Sequence, residues 1–309
     1  MNIVFFGHNK RAIRCFESIC KYCGCDNQVE LAIGYDSDTS SEWFCSIGSS
    51  AERCNIKYIN DVDKTREELD DEIRKVGPDL GIMCGYSRYI KQDTIKLFKY
   101  GILNLHASEL PYYRGGSPLN WAIINGEKHF GLSIYYIDDG IDTGPILMQR
   151  EFKIKDTDTI REISELAANK YSDMLNDILN GNKFKTKDEL KPQDLNSGTY
   201  YTSRRIEDGQ IDWKNMTDVE VHNLVRALTY PYPGAFTIAK CGYNQSPIYI
   251  WKTELCEKEY HGVPGRIITR KNGVVVICKN RGLRILEAEQ LGAIKKPRNI
   301  FKKVGVDLL

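Results

Sequence analysis

No apolar run in this 309-residue chain is long enough to cross a membrane. The apolar start, Asn2 to Phe6, is also too short for a signal peptide and reads instead as a first strand. An excess of charge of either sign is lacking as well: 43 Lys and Arg stand against 42 Asp and Glu, a formal net charge of +1. The balance is uneven along the chain. Residues 1 to 203 carry 25 basic against 31 acidic side chains, or −6, and residues 204 to 309 carry 18 against 11, or +7. A basic second part suits an anionic partner, such as nucleotide phosphates or a nucleic acid, and equally suits a plain solvated face. The glycine fingerprint of a dinucleotide site is missing too. Gly7-His8-Asn9-Lys10-Arg11 offers one glycine where a pyrophosphate needs close backbone approach, which argues against NAD. Among the ten cysteines, Cys20, Cys23 and Cys25 are closely spaced but lack a fourth ligand nearby, so no metal site is expected. Without a secretion signal, these cysteines suggest reduced thiols and a cytoplasmic protein.

What remains is an ordinary globular composition, 41% hydrophobic and 28% charged, long enough for two domains. The first, residues 1–203, alternates strands and helices: Ile3 to Gly7, Lys10 to Tyr22, Val29 to Tyr35, Asp63 to Lys75 and Asp79 to Cys84. That rhythm predicts an α/β domain with a Rossmann-like, doubly wound, mostly parallel sheet. His8, Asn9 and Lys10 then fall at the carboxyl end of the first strand, where such sheets bind ligands, and read either as acceptor contacts or as a simple helix cap. Asp158 to Leu179 is a long helix and Gly181 to Ser203 a linker. The second domain, residues 204–309, has a helix over Val219 to Leu228, followed by short strands at Ile248 to Leu255, Gly265 to Thr269, Val274 to Cys278 and Leu283 to Glu289. This spacing suits a small antiparallel barrel.

The chemistry concentrates between Gly101 and Pro145. Gly101 to His106 reads as a buried strand, and because strand side chains alternate, Asn104 and His106 emerge on one face. Pro111, Gly115, Gly116 and Pro118 enforce a tight loop, a helix fits Leu119 to Asn125, and a strand over Leu132 to Ile137 leads into Asp138-Asp139-Gly140-Ile141-Asp142. Alone, the acidic loop is also consistent with a solvated turn or a metal site, and the Asn-x-His pair with a structural contact. Together they suit acyl transfer to an amine. His106 would accept the amine proton; Asn104 would donate to the oxyanion; Asp142 would orient the imidazole. No serine or cysteine nucleophile is needed, since the amine attacks.

The run NLHASELPYYRGG (Asn104 to Gly116), followed by SPLNWAIINGE (Ser117 to Glu127) and IDDGIDTGPIL (Ile137 to Leu147), resembles the signature of the formyltetrahydrofolate-dependent formyltransferases. The resemblance implies that Asn104, His106 and Asp142 are catalytic and that N10-formyltetrahydrofolate is the co-substrate. Backbone groups of Arg88, Tyr89 and Ile90 would hold the pterin, with Asp138, Asp139, Gly140 and Ile141 closing the other side of its pocket. VRALTYPYPGAFT (Val225 to Thr237) and IWK (Ile250 to Lys252) resemble the OB-like C-terminal domain of methionyl-tRNA and aminosugar formyltransferases. The tRNA branch carries a basic insertion after the second strand; here Gly34 to Cys54 holds Asp36, Asp38 and Glu42 with one basic residue, Arg53. The resemblance therefore favours a nucleotide-linked amino sugar (dTDP, UDP or GDP) as acceptor, for surface polysaccharide of the O-antigen type, over methionyl-tRNA or another nucleic acid. Lys10, Arg204 and Arg205 would supply charge to the diphosphate. The resemblance also implies a homodimer through the C-terminal strands. A hydrolase using the same trio with water would release formate without an amine.

Overall fold

The structure, a computed structural model, describes residues 1–22, 28–35, 45–180, 184–238, 246–269, 273–301 and 307–308. They form two compact units, one of residues 1–118, 129–153 and 164–201, the other of 119–128, 154–163 and 202–309. The second unit thus takes in two segments that a single boundary near residue 203 assigns to the first.

Through residue 201 the elements run β1 (Asn2–Gly7), α1 (Lys10–Tyr22), β2 (Gln28–Gly34), α2 (Gly48–Arg53), β3 (Lys57–Asn60), α3 (Arg66–Val76), β4 (Leu80–Cys84), α4 (Gln92–Ile95), β5 (Ile102–His106), β6 (Arg114–Gly115), α5 (Pro118–Ile124), β7 (His129–Tyr136), β8 (Ile146–Lys153), α6 (Ile160–Asn180) and β9 (Tyr200–Tyr201). Seven strands form one sheet in the order β3-β2-β1-β4-β5-β7-β8. The first five are parallel, as the β/α rhythm predicts, but β7 and β8 run antiparallel to their neighbours. Ile3, Val4, Phe5 and Phe6 of β1 are wholly buried, as a strand covered on both faces requires. The periodicity of the sequence does not reveal β8, because Gln149, Arg150, Glu151 and Lys153 dilute its apolar alternation along a half-exposed edge. Helix α3 begins one residue after Thr65, which forms a reciprocal capping box with Glu68, and it ends at Gly77 in the left-handed conformation. The antiparallel addition decides the site: in the β5–β7 register Asn104 lies opposite Tyr135, and His106 opposite Ser133.

The second unit contains α7 (Asp218–Leu228), β10 (Ala235–Ile238), β11 (Pro247–Leu255), β12 (Ile267–Thr269), β13 (Val274–Ile277), β14 (Gly282–Gln290), β15 (Ala293–Lys295) and α8 (Pro297–Ile300). The strands form one antiparallel sheet, β10-β11-β14-β13-β12, with β15 paired to β14. Trp213, Val221, Leu224, Val225, Ile250, Val276 and Leu283 fill its core, and the Trp213 indole donates to Thr237 Oγ1 at 2.9 Å. On α7, His222 Nδ1 shares a hydrogen bond with Thr253 Oγ1 (2.9 Å), and burial together with the Arg226 guanidinium pushes its pKa below the ordinary imidazole value. The folded chain therefore binds a proton at His222 less readily than the unfolded chain. Its contribution to stability is intact above the unfolded pKa of ~6.5 and is lost as pH falls through the lower folded value. The expected result is that the second unit's melting temperature falls between pH 7.5 and 5.5, and falls less in His222→Gln; equal pH slopes in the two proteins would refute it.

Candidate active site

Strand β5 ends in Asn104 and His106 on one face, the imidazole 7% exposed. The chain then turns through Tyr113 (φ 59°), Gly115 (φ 93°) and Ser117 (φ 53°). Gly115 is required here, since a Cβ would stand 2.3 Å from the Tyr201 carbonyl oxygen. This turn brings the Tyr113 carbonyl oxygen to 2.8 Å from His106 Nε2. Strand β7 leads into the acidic loop, where Asp142 adopts φ 55° and turns its carboxylate back toward β5. Asp142 Oδ2 lies 3.4 Å from His106 Nδ1 and accepts the Gly115 N–H at 2.7 Å. Asp142 Oδ1 accepts the Tyr135 hydroxyl at 2.6 Å, and that hydroxyl accepts from Asn104 Nδ2 at 2.9 Å. Asn104, Tyr135, Asp142 and His106 thus form one chain of contacts.

This geometry assigns the two ring nitrogens different surroundings. The Tyr113 carbonyl and the Asp142 carboxylate can both only accept, so each ring nitrogen faces an acceptor: a neutral imidazole donates to one of them, an imidazolium to both. The imidazole is held between Tyr113 and Asp142, the residue to which the sequence reading gave its orientation.

Behind the carboxylate stands Arg114, wholly buried. Its Nε donates to the Asp142 carbonyl (3.2 Å), Nη2 to Gln193 Oε1 (2.8 Å) and Nη1 to the Ser197 carbonyl (3.3 Å), while the guanidinium lies 5.2 Å from the centre of the Tyr200 ring. Gln193 Nε2 donates to the carbonyls of Asp142 (3.1 Å) and Gly144 (2.7 Å). The segment from 193 to 201 straps the acidic loop in place, and β6 pairs with β9 beside it. Tyr135, Arg114 and Gln193 escape sequence reasoning. Tyr135 is one of two adjacent tyrosines in an apolar strand, and Gln193 sits in an unpatterned stretch.

Of the acidic loop, only Asp142 reaches the histidine. Asp138 accepts from Gly140 N (3.0 Å) and Thr143 Oγ1 (2.6 Å) within its own loop, and Asp139, Gly140 and Ile141 are exposed. After β4, Ile90 is buried, Tyr89 is exposed with its carbonyl accepting from Arg66, and Arg88 pairs with Asp61 at 3.3 Å. His8 is buried, its ring stacked on Tyr35 at 4.1 Å. Asn9 acts as the cap of α1: its Oδ1 accepts from Arg11 N (3.0 Å) and Ala12 N (3.3 Å). Lys10 lies 3.9 Å from Glu165. In the second unit, Arg204 lies 4.8 Å from the Trp121 ring centre and donates to the Asp208 carbonyl, while the Arg205 N–H donates to Asp208 Oδ2 at 2.7 Å. Cys23 and Cys25, like Asp36, Asp38 and Glu42, lie outside the described residues. Among the described residues no cluster of His, Cys, Asp and Glu could hold a metal, and no helix is long and apolar enough to cross a membrane.

Residues 46–179 match the formyl transferase family, and residues 205–303 the formyl transferase C-terminal domain. The chain is 34% identical over 232 residues to methionyl-tRNA formyltransferase of Caldanaerobacter subterraneus subsp. tengcongensis, covering 75% of this chain and 73% of that protein. Two solved structures share the fold. One is the N-formyltransferase from Helicobacter canadensis in complex with folinic acid and dTDP-3-aminofucose (TM-score 0.66, 22% identity, covering 92% of this chain and 98% of that one). The other is WlaRD, a sugar 3N-formyl transferase solved with dTDP and 5-N-formyl-THF (TM-score 0.65, 24% identity, 95% and 98%).

Proposed function

Since the chain belongs to the formyl transferase family and is an enzyme that transfers formyl groups, we propose that it moves the formyl group of N10-formyltetrahydrofolate onto the amino group of a nucleotide-linked amino-deoxy sugar. Bound formylfolate supplies the electrophilic formyl carbon. The backbone of Tyr89 and Ile90 and the exposed Asp139 to Ile141 turn are its contacts in this reading. One N–H of Asn104 is committed to Tyr135; the other is available to the oxyanion that develops as the amine adds. His106 takes the proton leaving the amine, the Asp142 carboxylate beside its ring steadying the imidazolium, and returns the proton to N10 as the carbon–N10 bond breaks.

The observation that carries the choice of acceptor is Arg53. It is the sole basic residue between Gly34 and Cys54, and its guanidinium is held by Glu17 Oε1 (2.6 Å) and Ser50 Oγ (2.8 Å). Phosphate gripping along a tRNA needs several cations, because the backbone term dominates affinity, whereas one diphosphate needs few. The Helicobacter canadensis enzyme was solved with folinic acid and dTDP-3-aminofucose, a folate and a nucleotide-linked amino sugar. A second reading, methionyl-tRNA as acceptor, is favoured by the 34% identity to a methionyl-tRNA formyltransferase. Incubation with formyltetrahydrofolate and a panel of dTDP-, UDP- and GDP-linked amino sugars, beside methionyl-tRNA, decides between them. Formylated sugar nucleotide is the expected product; formylation of methionyl-tRNA alone would overturn the choice.

A further inference from the structure

We propose that Tyr135 is a positioning residue for formyl transfer: its hydroxyl, lodged between Asn104 and Asp142, sets the orientation of both. The inference rests on the site reading above but not on the identity of the acceptor. Tyr135 is 2% exposed and stands opposite Asn104 in the β5–β7 register. A phenol has one proton, and here it is directed at Asp142 Oδ1, 2.6 Å away. The hydroxyl oxygen can then only accept from Asn104, so the carboxamide must turn its NH₂ end toward Tyr135. The second N–H of that same group is thereby placed for the oxyanion. Without the hydroxyl the carboxamide is free to rotate by half a turn, presenting its carbonyl oxygen where negative charge develops.

The carboxylate is oriented in the same way. Its Oδ1 is held by Tyr135 and its Oδ2 by the Gly115 N–H, leaving the latter oxygen beside His106 Nδ1. Burial and the neighbouring Asp142 charge drive the Tyr135 pKa well above the ordinary phenol value, so the group remains a donor wherever the enzyme works. A tyrosine serving the core alone would need one partner of any kind. Here both hydrogen bonds end on groups given chemical roles.

The test is Tyr135→Phe, which keeps the ring and removes one atom. Turnover, kcat, is expected to fall about 10- to 100-fold, with KM for formyltetrahydrofolate and for the amine within about twofold. In an Asn104→Ala background the same change is expected to cost clearly less than in the wild type, because one of the two groups through which it acts is gone and only the hold on Asp142 remains to be lost. Equal losses in both backgrounds, or wild-type kcat in Tyr135→Phe, would overturn the inference. Should Tyr135→Phe fold poorly, p-aminophenylalanine at position 135 compared with Tyr135→Leu gives the answer: its nitrogen occupies the position of the hydroxyl oxygen and can donate to Asp142 and accept from Asn104, and it is expected to recover turnover that the leucine loses; no recovery counts against the proposal. If Asn104→Ala and His106→Ala retain activity, the site reading itself fails. If they collapse and Tyr135→Phe does not, only the positioning role fails.

Discussion

Asn104→Ala is expected to lower kcat by about 10²- to 10³-fold while formylfolate binding remains measurable by titration calorimetry. The carboxamide makes one internal hydrogen bond, to Tyr135, and offers its second N–H to charge that exists only as the amine adds, so its loss raises the barrier rather than weakening the ground-state complex. His106→Ala is expected to fall at least as far, about 10²- to 10⁴-fold, because the amine then sheds its proton to water. The two losses test different halves of one event. Near wild-type turnover in either variant would remove that residue from the chemistry.

Arg114→Met should destabilise the first unit by an amount on the order of 3 kcal/mol. The arginine is wholly buried and donates to the Asp142 carbonyl, the Ser197 carbonyl and Gln193 Oε1. Methionine fills much of its volume but takes this donor from the part-buried Ser197 carbonyl and Gln193 Oε1 and leaves the Asp142 carbonyl only Gln193 Nε2, and each such loss costs about 1–3 kcal/mol. Because the same bonds hold the strap over the acidic loop, kcat should fall with stability. Arg114→Lys restores the charge without the planar fork and should recover only part of the loss. Urea unfolding gives the stability; an unchanged midpoint in Arg114→Met would show that the strap is held by other contacts.

Much of the site was legible in the residue order. The Asn104 and His106 pair followed from strand alternation, which is a local property with a period of two. The convergence of Asp142 was expected from motif order, and the structure brings its carboxylate to 3.4 Å from the imidazole. The joint between them was not legible. Which of Tyr135 and Tyr136 faces Asn104 depends on the β5–β7 register, and Tyr136 in fact turns away to donate to the Lys185 carbonyl at 2.8 Å. Likewise, Asn9 could be a ligand contact or a cap until its carboxamide was seen on the first turn of α1. The segments 119–128 and 154–163 join the second unit through bonds such as Asn120 Nδ2 to the Ala227 carbonyl, 107 residues apart.

The sequence by itself determined the alternating β/α first part, the antiparallel second part and the asparagine, histidine and aspartate that converge at the end of β5, because periodicity and turn chemistry act over a few residues. Only the tertiary structure decided that two antiparallel strands extend the parallel sheet, that a tyrosine hydroxyl links the carboxamide to the carboxylate, and that a buried arginine and a glutamine strap the loop behind them. Those choices depend on strand register and on contacts between distant residues, and a one-residue slip of β7 would have turned Tyr135 to the opposite face of the sheet.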